Sequence, residues 1–182
     1  MIYGKRIRLR AVERGDLPKF QEWLNDPDVT DGLSFYLPMS MAQEEKWFER
    51  VMQGDVHTMP LAIEIQDGHG WRLVGDCGIF NLEWPNRAAE FGICIGDKSI
   101  WNKGYGTEAV KLLLQHGFET LNLNRIYLRV YSTNLRAKRS YEKAGFVMEG
   151  TMRQAVYRNG KYSDILIMGM LRSEWEMSRE GE

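Results

Sequence analysis

The segment Trp101-Asn-Lys-Gly-Tyr-Gly-Thr-Glu-Ala109 joins an apolar stretch at residues 91–95 to a run whose apolar residues recur at helical spacing. Gly104 and Gly106 carry no Cβ, so the backbone can come close to a ligand at both positions. The free N–H groups and the positive dipole end of a helix that begins here favour phosphate oxygens. The segment therefore predicts a strand, a phosphate-binding turn and a helix.

A turn of this kind fits more than one class of site. Gly104, Gly106 and Ala109 match the dinucleotide pattern G-x-G-x-x-G/A, whereas a Walker A loop is excluded because no Gly-Lys-Ser/Thr follows. An NAD site also needs an acidic residue at the end of the next strand, and residues 132–134 are Ser-Thr-Asn. The NAD interpretation is therefore poor. The remaining alternative from the turn alone is a strand-to-helix connection that binds nothing.

A second motif follows an alternating strand at residues 125–131, and it reads Asn134-Leu-Arg-Ala-Lys-Arg-Ser-Tyr141-Glu-Lys143-Ala-Gly-Phe146. The pattern x-x-G-x-G-T-E-A, followed by T-N-x-x-A-x-x-x-Y-x-K-x-G-F, resembles the GNAT superfamily of acyl-CoA-dependent N-acetyltransferases. It is most similar to the branch that contains the ribosomal-protein (RimJ/RimL-like) and spermidine acetyltransferases. The resemblance covers almost the whole chain and implies a fold, a cofactor and a reaction.

Hydropathy and turn signals predict the element order β-α-α-β-β-β-α-β-α-β-β in an α/β (α+β) mixed sheet with helices on both faces. The resemblance implies the GNAT acyl-CoA N-acyltransferase fold. A length of 182 residues, 43% of them hydrophobic, predicts one domain over 1–182. Asp67-Gly-His-Gly70 and Asn159-Gly160 predict hairpin turns, and Ser40 with Gln43 predicts a capping box.

The bulk composition excludes several classes of partner. A net charge of −1 gives no argument for binding to nucleic acid or a membrane. No signal peptide is recognised, and no run reaches the roughly twenty apolar residues that cross a bilayer. Two cysteines at unrelated spacing suit a reducing, cytoplasmic location, and three scattered histidines indicate no metal site.

The resemblance implies acetyl-CoA as the cofactor, with coenzyme A as the product. Backbone N–H groups of the glycine turn would hold the pyrophosphate, with Lys103 adding a positive charge. The amide of Asn134 would meet the peptide-like arm of the cofactor. The residues predicted to bind the cofactor are Ile93, Cys94, Ile95, Asn102, Lys103, Gly104, Tyr105, Gly106, Thr107, Asn134 and Lys143.

Transfer of an acetyl group to an amine needs a base, because an amine with a pKa near 10 is only about a thousandth neutral at pH 7. Glu90 stands in an otherwise apolar strand, and the resemblance implies that a glutamate on this strand acts on the amine through water. A carboxylate at a dry strand centre would have a raised pKa, which suits a base. The alternative is a structural glutamate that pairs with Arg87 or another cation.

Tyr141 is the candidate general acid, because a phenol stays protonated at pH 7 and can hydrogen-bond a departing thiolate. It follows Asn134 by seven residues, which is two helical turns, so both residues share one face. The alternatives are a core aromatic at Tyr141 and a helix cap at Asn134. Cys94 is rejected as a nucleophile because no histidine lies near it in sequence.

The acceptor is an amine whose identity the sequence leaves open. The resemblance implies that the segment between the first two helices shapes the acceptor pocket. The predicted substrate-binding residues are Asp31, Phe35, Tyr36 and Trp84, although each acid of this loop can instead be a solvated charge. The expected partner is a small cationic amine or a peptide or protein N-terminus, with direct transfer in a ternary complex. The alternative function is a non-catalytic acyl-CoA-binding module. Because several members of the family are homodimers, the resemblance also allows a homodimer.

Overall fold

Within residues 1–68 and 70–180, which the computed structural model describes, eight strands form one mixed sheet. In chain order the strands are β1 (Ile2–Tyr3), β2 (Ile7–Ala11), β3 (Leu61–Gln66), β4 (Trp71–Glu83), β5 (Ala88–Ile95), β6 (Arg125–Tyr131), β7 (Val147–Arg158) and β8 (Lys161–Leu171). Their order across the sheet is β1-β2-β3-β4-β5-β6-β8-β7, and of these neighbouring pairs only β5–β6 is parallel. The mixed sheet confirms the predicted α/β class.

The helices of the described chain are α1 (Leu17–Leu24), α2 (Pro27–Thr30), α3 (Met41–Met52), α4 (Tyr105–Gln115), α5 (Leu135–Ala144) and α6 (Arg172–Glu180). The predicted capping box begins α3: the Ser40 hydroxyl accepts from the Gln43 N–H, and the Gln43 side chain accepts from the Ser40 N–H. None of these helices is long and apolar enough to cross a membrane.

The predicted element order holds for the main strands and helices, and among the strands and α-helices of the described chain three short ones were not predicted. These are the two-residue strand β1, the single turn α2 within the predicted loop, and the terminal helix α6. Pro27 at the first position and the Asp26 side chain as cap allow α2 to form. The Asn159-Gly160 hairpin is confirmed, with φ of 51° and 78° at its two residues.

The other predicted hairpin turn includes His69, which lies outside the described residues. The two strands that it joins, β3 and β4, pair antiparallel from Leu61↔Cys77 to Gln66↔Trp71. The prediction of one domain over residues 1–182 is compatible with a single sheet that contains all described strands, and it stays a prediction.

Two hydrophobic cores lie on the two faces of the sheet. One contains Phe91, Leu113 and Tyr141, and helices α4 and α5 contribute to it. The other contains Phe20 and Trp23 of α1, with Trp47 of α3 packed against it. Because strand side chains alternate in direction, neighbours such as Ala62 and Ile63 belong to different cores.

The sheet opens at the parallel pair in its centre. β5 and β6 are paired only from Ala88↔Arg125 to Glu90↔Tyr127. Beyond Glu90, β5 stays with β4 as far as Ile95↔Gly75, whereas β6 stays with β8 as far as Tyr131↔Ile165. The divergence of the two strands leaves a gap in the sheet, and the candidate site lies at this gap.

Candidate functional site

A cleft of about 730 Å³ occupies the gap between β5 and β6, and we call it the splay cleft. The separated strand ends and the starts of α4 and α5 form its walls. The predicted site residues that line the splay cleft are Glu90, Ile93, Cys94, Ile95, Asn102, Gly104, Gly106, Thr107, Asn134, Tyr141 and Lys143.

The start of α4 gives the splay cleft an anion-binding end. Gly104 lies at the N-cap with a φ of 85°, a left-handed conformation that glycine adopts without strain. At Gly106 the nearest neighbour of an added Cβ would be an Ile95 carbon at 3.7 Å, so no protein atom crowds this position, which lines the splay cleft. The hydroxyls of Thr107 and Ser140 are 2.9 Å apart and connect α4 to α5 beside this end. Free helix N–H groups at the end of a cleft suit a phosphate.

Two residues of the glycine turn do not line the splay cleft, although the sequence predicted that they bind the cofactor. The Lys103 carbonyl accepts a hydrogen bond from Arg6 at 3.3 Å, and the Arg6 guanidinium lies 4.3 Å from the centre of the Tyr105 ring. Arg6, which precedes β2, therefore contacts both residues on the outside of the turn.

The splay cleft gains positive charge from α5 instead. Arg136 and Arg139 line it together with Lys143. The Arg136 guanidinium stacks 3.3 Å from the ring centre of Trp101, whose indole N–H donates to the Ile95 carbonyl at 2.9 Å. The prediction missed Arg136. The sequence signal was a basic residue within the first turn of the helix that Asn134 begins.

Tyr141 is buried, with 7% of its surface exposed, and its ring meets Phe91 and Phe146 edge-on. Burial raises the pKa of the Tyr141 phenol above its ordinary value, so the hydroxyl is protonated at neutral pH. Asn134 caps α5, because its side-chain oxygen accepts from the Ala137 N–H at 3.1 Å, and it also lines the splay cleft. Both roles considered for Asn134 are therefore compatible with the structure.

Glu90 has a cation partner that the sequence analysis did not name. The residue is 4% exposed, and its carboxylate accepts two hydrogen bonds of 2.8 Å from Arg129 and a third of 2.8 Å from Asn81. Burial opposes ionisation, but these hydrogen bonds outweigh it and lower the pKa of Glu90. The expected raised pKa of Glu90 is wrong, and the geometry is that of a structural ion pair with Arg129 in place of Arg87.

A second cavity, of about 780 Å³, lies between the sheet and helices α1 and α3. We call it the carboxylate cavity, because Glu44 of α3 and Asp76 of β4 line it among aromatic side chains. Burial and then the charge of Glu44 raise the pKa of Asp76 to about 7, and burial also raises that of Glu44. The five residues that line both cavities are Leu33, Phe80, Gly92, Ile93 and Cys94.

Of the four predicted substrate-binding residues, only Phe35 lines the carboxylate cavity. Asp31 is exposed at the end of α2. Tyr36 lies under the Arg158 guanidinium at 4.8 Å, and the Trp84 ring packs edge-on against His57. The structure does not bring these three residues to either cavity: Asp31 is exposed to solvent, and Arg158 and His57 contact the other two.

The acidic groups of the carboxylate cavity come from outside the predicted loop. Inside the loop, Asp26 and Asp28 pair with Lys98 at 2.6 and 2.8 Å, so they serve as local ion pairs. The Cys94 thiol lies where the two cavities meet, and burial raises its pKa well above 9.0. A neutral thiol is a poor nucleophile, in agreement with its rejection as one.

Comparison with known proteins supports the resemblance to N-acetyltransferases over most of the chain. A family model for an acetyltransferase (GNAT) domain matches residues 6–147, which contain both motifs. The spermidine N(1)-acetyltransferase of Vibrio cholerae is 30% identical over 172 residues, which are 94% of this chain and 96% of that protein. The putative ribosomal N-acetyltransferase YdaF of Bacillus subtilis is 36% identical over 104 residues, which are 57% of this chain and 56% of YdaF.

A solved structure is similar along nearly its whole length. The crystal structure of spermidine N-acetyltransferase from Vibrio cholerae in complex with CoA and spermine superposes with a TM-score of 0.86 at 28% identity. The superposition covers 95% of this chain and 99% of that one.

Proposed function

Because this chain belongs to the GNAT family of acetyl-CoA-dependent N-acetyltransferases, we propose that it acetylates a primary amine by direct transfer in a ternary complex. The acceptor is a small cationic amine or a peptide or protein N-terminus. The observation that carries the proposal is the junction of the two cavities at five shared residues. A cofactor in one cavity and an amine in the other would meet there without a covalent enzyme intermediate.

The splay cleft has the features that coenzyme A requires. The start of α4 and the cations Arg136, Arg139 and Lys143 suit phosphate groups. The edge of β5 that faces the gap has no strand partner after Glu90 among the described residues, so its backbone can hydrogen-bond a peptide-like arm. These features support the cofactor-binding roles proposed for the residues that line the splay cleft.

Acetyl-CoA supplies an acyl group that is activated as a thioester. Tyr141 would donate its phenolic proton to the sulfur as the carbon–sulfur bond breaks. The raised pKa of Tyr141 keeps the proton in place until negative charge develops on that sulfur. Asn134, two helical turns earlier on the same face, would hold the arm that carries the thioester.

Aliphatic polyamines are the first acceptors to test. Two carboxylates and several aromatic side chains line the carboxylate cavity, which suits a cation on an aliphatic chain. The relative from Vibrio cholerae is named a spermidine N(1)-acetyltransferase, and its structure contains spermine. A protein N-terminus remains the second acceptor class to test, because YdaF is named a putative ribosomal N-acetyltransferase.

A thermal melt with acetyl-CoA, coenzyme A, NAD or no ligand tests the cofactor. A ligand at one hundred times its Kd adds about 2.7 kcal/mol to the free energy of unfolding, which raises Tm by about 5 to 10 °C for a chain of this size. Coenzyme release is then followed with spermidine, butylamine, an aminoglycoside and a basic peptide. A shift with NAD alone, or no thiol release from any amine, would refute the proposed function.

A cytoplasmic location is part of the proposal. Cys77 and Cys94 are both free thiols, as a reducing compartment requires. The homodimer that the resemblance allows stays a prediction.

A further inference from the structure

The carboxylate cavity contains two acidic side chains without a counter-ion. Glu44 is only 3% exposed, and Asp76 is half-buried with its accessible surface in the cavity. Among residues 1–68 and 70–180, neither side chain receives a hydrogen bond or forms an ion pair. An ionised carboxylate in such a place is costly, so each is either protonated or completed by a bound cation.

The other titratable groups around Asp76 do not neutralise it. Lys46 and Arg50 of α3 line the same cavity, yet in the described chain neither is paired with a carboxylate of this cavity. Cys94 on β5 and Cys77 on β4 are the nearest thiols, and burial raises the pKa of both, so they carry no charge. The cavity therefore favours a cation that comes from outside the protein.

Asp76 lies at the junction of the two cavities. It is paired with Cys94 across β4 and β5, and cross-strand partners have Cβ atoms about 5 Å apart on the same face. Cys94 lines both the splay cleft and the carboxylate cavity. Asp76 can therefore reach an amine that points from the carboxylate cavity towards the thioester.

Glu90 is less well placed, although it lies on the same face of the sheet. Its cross-strand partner is Phe80, four residues along β4 from Asp76, which is roughly 13 Å at 3.3 Å per residue. The Phe80 ring covers Gly92 between the two acids, because an added Cβ on Gly92 would lie 2.6 Å from that ring. Tyr141 belongs to the core on the opposite face. An acid and a base from opposite faces would therefore meet at the gap.

We infer that Asp76 is the catalytic base that takes a proton from the acceptor's ammonium group, and that Glu44 is a positioning residue that holds this group beside it. The inference rests on the proposed function. In the first step an N–H bond of the ammonium breaks and an O–H bond forms on Asp76. The neutral nitrogen then forms the C–N bond, the C–S bond breaks, and the nitrogen gives up a second proton. Of the two protons, one ends on the thiol and one in solvent.

The test measures kcat/KM for spermidine with saturating acetyl-CoA from about pH 5.5 to about pH 9. In the wild type kcat/KM falls below about pH 7, because Asp76 is protonated there. Asp76→Asn lowers kcat/KM about 100-fold or more at neutral pH and abolishes this inflection. Its residual rate rises with pH as the amine itself loses its proton, and Asp76→Glu recovers part of the rate.

Two further variants separate catalysis from structure. Glu90→Gln keeps the inflection, because the inflection belongs to Asp76 and Glu90 serves in the wild type as a structural partner of Arg129. Glu44→Gln raises KM and moves the inflection to lower pH, because the charge that raises the pKa of Asp76 has gone. The melt shift with coenzyme A stays at the wild-type value in Asp76→Asn, which shows an intact splay cleft.

The outcomes distinguish the inference from the proposed function. An Asp76→Asn variant with the wild-type rate and inflection overturns the role of Asp76 and leaves acetylation standing. Loss of the inflection in Glu90→Gln would show that Glu90, and not Asp76, is the catalytic base. A wild-type protein that acetylates no amine refutes the proposed function, and the inference falls with it.

Discussion

Arg129 donates two hydrogen bonds of 2.8 Å to the carboxylate of Glu90, and this pair joins β6 to β5 where the two strands separate, since Glu90 is on the last paired row and Arg129 lies two residues beyond it on β6. A glutamate that is 4% exposed depends on such a partner, because burial alone would favour the neutral form of its carboxyl group. The pair therefore stabilises the point from which the splay cleft opens.

Arg129→Met leaves Glu90 buried with Asn81 as its remaining partner, and we expect a loss of about 1–3 kcal/mol in the free energy of unfolding at neutral pH. The folded-state pKa of Glu90 is lowered, so its stabilisation is present above the ordinary pKa of 4.5 and is lost as the pH falls through the lower folded value. Urea unfolding of the wild type and the variant at neutral and acid pH measures this. An equal difference at both pH values would contradict the ion-pair interpretation.

Tyr141→Phe removes only the hydroxyl and keeps the ring that packs against Phe91 and Phe146. We expect kcat to fall about 100-fold, since the departing sulfur loses its proton donor. The coenzyme A affinity and Tm should stay near the wild-type values. Steady-state kinetics with a calorimetric Kd measures both quantities. A normal kcat would remove Tyr141 from the mechanism.

Gly106→Ala places a methyl group in ordinary van der Waals contact, 3.7 Å from the nearest protein atom and without a clash. We expect Tm to be unchanged or slightly higher, because alanine favours a helix by up to about 1 kcal/mol. The Kd for acetyl-CoA should rise about tenfold, since the methyl group occupies space that a phosphate needs. Gly15→Ala, where an added Cβ meets nothing within 4 Å, is the matched control outside the splay cleft. Equal affinities in both variants would contradict the phosphate-binding role of the turn.

Arg136→Met retains a long apolar side chain beside Trp101 and removes the charge. A hydrogen bond to a charged group contributes about 1.5–3 kcal/mol, so we expect the Kd for coenzyme A to rise at least about tenfold. Lys138→Met is the matched control, because Lys138 lies on the same helix but pairs with Glu142 at 3.6 Å and does not line the splay cleft. Calorimetric titration measures the Kd for coenzyme A in both variants. Equal Kd values would show that Arg136 only stacks on Trp101 and does not bind the cofactor.

Asp76→Asn should raise the stability of the protein at alkaline pH. The folded-state pKa of Asp76 is raised from 3.8 to about 7, so ionisation of the folded protein carries a penalty that the unfolded chain does not share. The penalty is absent below pH 3.8, grows between the two values and is complete above about pH 7. We expect Tm of the variant to exceed the wild-type value by several degrees at alkaline pH and to match it near pH 4. A lower Tm at alkaline pH would show that the carboxylate is well paired.

Both motifs could be located from the sequence because their signals are local. The glycine turn, the helix start at Asn134 and the spacing to Tyr141 depend on neighbours along one segment. The partner of Glu90 could not be located in this way. Arg129 follows Glu90 by 39 residues, and only the parallel register Glu90↔Tyr127 brings Arg129 to the same face.

The two carboxylates of the cavity were missed for a related reason. Glu44 lies in a polar run of α3 and has the sequence appearance of a solvated helix residue, while the structure buries it against the sheet. Asp76 is a single acid in a strand, and a strand face can as well point to solvent. Their burial follows from the way α1 and α3 cover β4, which depends on packing across the whole domain.

The wall shared by the splay cleft and the carboxylate cavity also has a consequence for inhibition. A conjugate in which the amine is joined to coenzyme A through the acyl carbon would fill both cavities across Gly92 and Cys94 at once. Such a molecule loses its translational freedom once, where two separate ligands lose it twice. Because the two cavities adjoin at the residues that they share, the fold is suited to tight bisubstrate inhibitors whose selectivity comes from the amine half.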